Sequence, residues 1–265
     1  MSTKSYKCYT LGMKLREFTD KMTEILDIRR FDGADSSQNG LQVGDLNVEI
    51  NKVTFAVDAS LATIKAAVEQ KADVLFVHHG MFWSRSLTVT GRHYTRVKTL
   101  LDNNLALFGC HLPLDAHMVY GNNARMAQKL NLQEIQPFSL YHGVYVGVKG
   151  VFTEPLDARQ IISLLQIREN DTNFALNCAQ RKFRSVGIVS GGGAMDVYQA
   201  MDEGLDLLIT GESSYTTIND CNEADMSMLC LGHYETETFG VKAVMDLVRR
   251  EFGLETCFID IPLGL

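Results

Sequence analysis

The 265-residue chain lacks any apolar stretch approaching the length of a membrane span, and its opening residues "MSTKSYKCYTLG" contain no hydrophobic signal core. It has only four prolines, no low-complexity segment and no clear linker, so any division into units has a soft boundary. Basic runs are missing too: 25 Lys and Arg face 32 Asp and Glu, a formal charge of −7. That balance repels phosphate backbones and argues against general nucleic-acid or anionic-membrane binding. The six cysteines (Cys8, Cys110, Cys178, Cys221, Cys230 and Cys257) include no C-x-x-C pair, and several sit in apolar runs. Buried, reduced thiols in a cytoplasmic protein are the expectation.

What is present is an alternation. After a leader of residues 1–12, Leu15, Phe18, Met22 and Leu26 fall at helical spacing. "DGADSSQNGLQVGD" reads as a turn-rich loop. Strand-like "KVTFAVDAS", "ADVLFVHHG" and "LALFGC" then alternate with helix-like "LATIKAAVEQ", "HYTRVKTLLDNN" and "GNNARMAQKL". A strand pair around "VYVGVKGVF" and a helix "DARQIISLLQ" follow. The alternation resumes with "SVGIV", "LDLLIT" and "MSMLCL". A last helix, "GVKAVMDLVRREFG", carries an apolar stripe of Val241, Val244, Met245, Val248 and Phe252. Strand "ETCFIDIP" closes the chain. Short continuous apolar strands between helices imply an α/β fold with mainly parallel sheets covered by helices on both faces. The blocks suggest a first α/β unit over 13–130 and a second over 131–265.

Chemistry collects where strands end, the edge at which open α/β sheets bind ligands. "VLFV" runs into His78 and His79, "LALFGC" into His111 and Asp115, and "MLCL" into His233 with Glu237 four positions on. Neighbouring strand residues point to opposite faces. His78 and His79 therefore serve one ion only if the chain turns at Gly80; otherwise they serve two ions side by side. His233 and Glu237 share a face if a helix starts there, and Asp115 reaches across from an extended loop after Pro113. A single histidine after a strand is more often a capping or hydrogen-bonding group than a ligand. Three imidazoles and two carboxylates exceed the three protein ligands usual for one catalytic zinc. They suit two divalent ions roughly 3.5–4 Å apart, sharing a carboxylate. Zinc, manganese, iron and nickel all accept such ligands.

Further candidates lie at the same rim. His111 is read as orienting a ligand or substrate. Glu212 is either a general base or a helix N-terminal charge favoured by the dipole. Ser190, Gly191, Gly192 and Gly193 could cradle a phosphate on backbone amides, or form a tight strand-to-helix turn. His93, His117 and His142 are assigned surface roles, and the Met-rich "MSMLC" is core.

The set "NGLQVG", "ADVLFVHHGMFW", "HLPLDAH", "GNNARMAQKL", "SGGGAMDV", "LDLLITGE" and "GHYETE" resembles, in order from Met13 to Pro262, the NIF-three-like family, whose members are often called GTP cyclohydrolase 1 type 2 homologues. The compact form, without a middle insertion domain, fits best. The resemblance implies two intertwined α/β domains and a dinuclear metal site on His78, His79, Asp115, His233 and Glu237, with Glu237 bridging. It also implies a ring-shaped homohexamer with its metal sites facing an internal cavity. Close compact members often carry a basic residue just after "HHGxFW", where this chain has Ser84, with Arg85 next. Two functions follow: a metal-dependent hydrolase acting on a nucleotide-like substrate, which in the family's named activity opens the ring of GTP, or a non-enzymatic protein that stores, delivers or senses divalent ions.

Overall fold

The computed structural model describes residues 12–168 and 174–264, so the expected leader, apart from Gly12, lies outside the described residues. The chain begins with β1 (Met13–Lys14), α1 (Leu15–Ile25), β2 (Gly40–Val43), β3 (Glu49–Ile50), β4 (Lys52–Asp58), α2 (Leu61–Glu69) and β5 (Val74–His79). It continues through α3 (Gly91–Asp102), β6 (Ala106–Gly109), α4 (Leu112–Ala116), α5 (Asn122–Lys129), β7 (Gln133–Tyr141), β8 (Val144–Leu156) and α6 (Ala158–Leu165). Then come β9 (Phe174–Leu176), β10 (Phe183–Val189), α7 (Val197–Asp202), β11 (Leu207–Thr210), α8 (Tyr215–Glu223), β12 (Ser227–Cys230), α9 (His233–Leu247) and β13 (Glu255–Phe258).

Two mixed sheets organise these elements. The first has the order β13-β4-β5-β6-β2, parallel except for β2, which runs antiparallel to β6. The second has the order β7-β8-β10-β11-β12-β9, with a parallel core of β10, β11 and β12 between antiparallel flanks. Each parallel core is buried on both faces, which is why its strands are apolar runs rather than alternating ones. The first sheet packs Phe55, Phe76 and Phe108 against Phe18 of α1 and Val241, Val244 and Val248 at the end of the chain. Phe76 and Phe108 stack with ring centroids 5.4 Å apart. Its other face is covered by α2 and α3 through Ile64 and Leu100. The second sheet is covered by α5 and α6 on one face and by α7 and α8 on the other.

The chain crosses between the sheets in ways that tie them together. Helix α5 packs Ala124, Met126 and Ala127 onto the second sheet. The chain's last strand, β13, pairs in parallel with β4 of the first. Helix α9 leaves the end of β12 in the second sheet and lays Val241 and Val244 on the core of the first. It starts at His233, ahead of the Gly240 start that the apolar stripe indicates, because its first two turns are polar.

The two parallel cores repeat a device. Asp73, just before β5, accepts the amides of Asn51 and Lys52 on one carboxylate oxygen at 2.7 and 2.9 Å. Asp206, just before β11, accepts the amides of Arg184 and Ser185 at 2.8 and 2.9 Å. In both sheets a carboxylate locks the start of one strand to the start of its neighbour.

Three local expectations change. Gly40–Val43 is a strand rather than loop. Asp115 sits on the short helix α4, not on an extended loop; Pro113 is compatible because it occupies the first turn, where its missing N–H is not needed. Not all of His93, His117 and His142 are surface groups. His117 is half-buried, donating from Nε2 to the Ile25 carbonyl at 3.0 Å and accepting the Val119 and Tyr120 amides on Nδ1. His93 is half-buried against Phe82. The cysteines agree with expectation: Cys110, Cys178, Cys221 and Cys230 are buried and Cys257 partly so, all as free thiols, while Cys8 lies outside the described residues. Met226 and Met228 are core.

Candidate metal centre

Both sheets present the carboxyl ends of their parallel strands to one cavity of about 500 Å³. The end of β5 brings His78, fully buried, and His79. Although adjacent on a strand, their rings lie 4.7 Å apart and both turn towards Glu237. Glu237 Oε1 is 3.4 Å from His78 Nε2 and 3.0 Å from His233 Nε2, and its Oε2 is 3.3 Å from His79 Nε2. His233 and Glu237 share a face of the first turn of α9, as their spacing requires. Asp115, on α4, is buried with Oδ2 3.5 Å from His78 Nε2.

Every imidazole here has its Nδ1 fixed by a neighbour, which directs Nε2 inward. His78 Nδ1 meets the Cys110 carbonyl at 2.9 Å, and His79 Nδ1 meets Asp58 at 2.9 Å. His233 Nδ1 meets Glu212 at 2.6 Å, and His111 Nδ1 meets Asp35 at 2.9 Å. Asp115 is held likewise: Oδ1 accepts from Asn122 Nδ2 at 2.8 Å and Ser190 Oγ at 2.9 Å, leaving Oδ2 for the centre.

Potential ligand atoms form three overlapping triads, each within 4.8 Å: His78, Asp115 and Glu237; His79, His233 and Glu237; and His78, His79 and His111. Two buried atoms in this cluster, His78 Nε2 and Glu237 Oε2, have no hydrogen-bond partner. His78 Nε2 lies towards Glu237 Oε1 and Glu237 Oε2 towards His79 Nε2; buried polar atoms left unpaired in this way are costly in a protein interior, and a cation beside them relieves the cost. These buried His, Asp and Glu groups could therefore hold a metal ion. The electrostatics point the same way. Burial opposes the His78 cation, but Asp115 and Glu237 outweigh it and raise the pKa to about 10. Burial also opposes the His233 cation, yet Glu237 and Glu212 carry its pKa to about 9. Burial disfavours an ionised Glu237, while His79, His78 and His233 hold its carboxyl well below the usual range. A field that retains protons this strongly also attracts a divalent cation.

Glycines make the approach possible. A Cβ on Gly191 would lie 2.3 Å from Glu237 Oε1, and its φ is +64°. A Cβ on Gly80 would lie 2.2 Å from the Gln42 side chain, which accepts the Met81 amide at 2.7 Å. Gly80 thus lets the Gln42 amide pack close to the backbone, and its φ is not in the left-handed region.

Two sequence candidates at the rim are engaged with neighbours. Glu212 is paired with His233 Nδ1 at 2.6 Å and lines a further cavity of about 230 Å³ that His79 and His233 also line. In the loop of Ser190, Gly191, Gly192 and Gly193, two of the four backbone amides are taken up within the protein. The Ser190 amide donates to Asn123 Oδ1 at 2.7 Å and the Gly191 amide to Thr236 Oγ1 at 3.0 Å. The segment that follows, Gly193–Asp196, is a 3₁₀ turn. Asp35, Asp58, Asn39 and Asn122 do not stand out in the sequence. Of these, Asp58 carries a usable signal, since it ends β4 at the same edge as His79.

Residues 13–262 match the Duf34/NIF3 (NGG1p interacting factor 3) family. The chain belongs to that family. It is 39% identical over 231 residues to a Deinococcus radiodurans protein described as "GTP cyclohydrolase 1 type 2 homolog", covering 87% of this chain and 88% of that one. A Pyrococcus abyssi protein of the same description is 39% identical over 254 residues, covering 96% of this chain and all of the relative. Among solved structures, a Thermus thermophilus protein, TTHA1606, superposes with a TM-score of 0.85 at 33% identity, covering 96% of this chain and 100% of that chain. The mixed-sheet α/β architecture is thus the fold of the NIF3 superfamily. Among the described residues, no helix is long and apolar enough to cross a membrane.

Proposed function

We propose that this NIF3-family protein is a dinuclear metal-dependent hydrolase acting on a nucleotide-like substrate, with activity of the GTP cyclohydrolase 1 type 2 kind. One observation carries the two-ion reading: two of the ligand triads share only Glu237. One ion would be held by His79, His233 and Glu237, the other by His78, Asp115 and Glu237, with the carboxylate bridging. Zinc, manganese, iron and nickel all suit this mixture of imidazole and carboxylate. Such ions supply Lewis acidity, polarising an electrophile and making water more acidic.

The chain's own groups position the reaction. Asp58, Glu212 and the Cys110 carbonyl fix the tautomers of the three ligating histidines. His111, held at Nδ1 by Asp35 and lining the cavity, keeps Nε2 towards the substrate, where it takes up or gives a proton. Trp83 walls the same space, its indole N–H bonded to the Gly80 carbonyl at 3.2 Å.

The test is turnover by metal-loaded protein on GTP and a panel of phosphoesters, comparing wild type with His79→Ala. The reading expects product from at least one substrate and a loss of at least about 100-fold in the variant, the upper end of what losing a supporting partner alone costs. No turnover with any substrate, or a variant as active as wild type, overturns it. Exchangeable metal without chemistry would instead mark an ion-delivery protein.

A further inference from the structure

The wall of the cavity that holds the candidate metal centre also carries a carboxylate that the ligand triads do not use. Asp196 lines that wall at the end of the 3₁₀ turn after the Ser190–Gly193 loop. Its Oδ1 accepts from Ser139 Oγ, and Gln199 Nε2 is 3.5 Å away; Oδ2 has no partner among the described residues. Ser139 is buried on β7 with φ at +59°, a left-handed conformation that serine rarely adopts. Backbone strain of this kind persists where surrounding structure enforces it. Here the β7 segment is clamped onto α7 by a two-way bond between Leu140 and Gln199, at 2.7 Å and 3.3 Å. The carboxylate is thereby held through Oδ1, with Oδ2 the oxygen left for a ligand of the cavity that Asp196 lines.

The remaining lining gives the ligand its character. Trp83 and Tyr141 contribute aromatic surface, and Val146 and Val189 are apolar. No lysine or arginine lines the cavity among the described residues, whereas Asp35, Asp115, Asp196 and Glu237 do. Arg85, the cation closest in sequence to Trp83, is exposed and is not among the lining residues. Apart from the candidate metal centre, the described lining has no lysine or arginine for a phosphate tail, while Trp83 and Tyr141 suit a flat ring.

We propose that Asp196 is the specificity-determining residue of the cavity, reading the N–H edge of a planar, uncharged nitrogen heterocycle that lies against Trp83. The inference rests on reading the cavity as a substrate site. A carboxylate oxygen facing two adjacent N–H donors makes charge-assisted bonds, which are stronger than neutral ones. A ring presenting an acceptor beside a single donor gives up one of these bonds and sets a lone pair against the carboxylate, so it binds more weakly. Ser139 acts as the positioning residue.

Trp83 is the chain's single tryptophan, so its fluorescence reports directly on this wall. Metal-loaded protein is titrated with guanosine, whose edge carries adjacent N–H donors, and with adenosine, whose edge carries an acceptor beside its amine. Guanosine is expected to quench Trp83 and to bind at least about tenfold more tightly than adenosine. In Asp196→Asn, and in Asp196→Ala should the first variant fold poorly, the preference is expected to shrink to within about twofold while metal content stays that of wild type. Ser139→Ala is expected to weaken the preference in part. Equal quenching by the two nucleosides in wild type, no quenching by either, or an undiminished preference in the Asp196 variants overturns the proposal. The readout does not depend on turnover. Selectivity lost with Asp196 in a protein without activity sinks the hydrolase reading alone; turnover with Asp196-independent selectivity sinks this inference alone.

Discussion

Gly191 illustrates how narrowly the centre is built at the level of single residues. It lies where a loop of the second sheet passes the Glu237 carboxylate, and its φ of +64° and the 2.3 Å from an added Cβ to Glu237 Oε1 both disfavour a side chain. Gly191→Ala is expected to cost about 1–2 kcal/mol for the left-handed backbone and to weaken metal affinity by at least about tenfold as Glu237 is displaced. Calorimetric titration with zinc or manganese checks this, and unchanged affinity would contradict the geometry. The candidate ligands themselves are readable in sequence because donor-type side chains directly follow apolar runs. Their supports are not. Asp58, Asp35 and Asn122 are ordinary polar residues until folding sets them against a ring nitrogen or a carboxylate. His111 is legible as a neighbour of the site, but its ring's approach to His78 and His79, at 5.1 and 5.6 Å, depends on how β5 and β6 are paired.

At the level of elements, the strand starts are held by Asp73 and Asp206. Burial works against the Asp206 charge, but the Ser185 and Arg184 amides outweigh it, so its pKa is lowered from 3.8 in the folded chain. A carboxyl with a depressed folded pKa contributes stability that is complete above the unfolded value and is lost as pH falls through the folded one. Asp206→Asn is therefore expected to lower stability by about 1 kcal/mol at neutral pH, and the gap should close as pH falls below about 4. Urea melts across that range provide the check; a gap independent of pH would show that the charge contributes nothing. Elements with strong periodicity, such as β4, β5 and α1, are legible from apolar spacing. Strand β2 is not, because "NGLQVG" begins with turn residues and its edge position imposes little hydrophobic demand. The start of α9 is hidden because its first turns are given over to His233, Glu235 and Glu237.

For the molecule as a whole, the centre belongs to neither sheet alone. His78 and His79 come from the first sheet, while His233 and Glu237 come from a helix that leaves the second and packs on the first. The alternation of strands and helices makes the α/β class legible. The pairing of β13 with β4 is not, because strand order depends on contacts between residues about 200 positions apart. The same crossing draws the Glu237 carboxylate in between the two sheets.

The most direct test is a metal-resolved count of the sites in protein saturated with zinc or manganese, by elemental analysis alongside anomalous diffraction, in wild type and in Glu237→Gln. The account predicts two ions per chain, one beside His79 and His233 and one beside His78 and Asp115, with both lost or greatly weakened in the variant. One ion per chain, or two that persist without the Glu237 carboxylate, would contradict it.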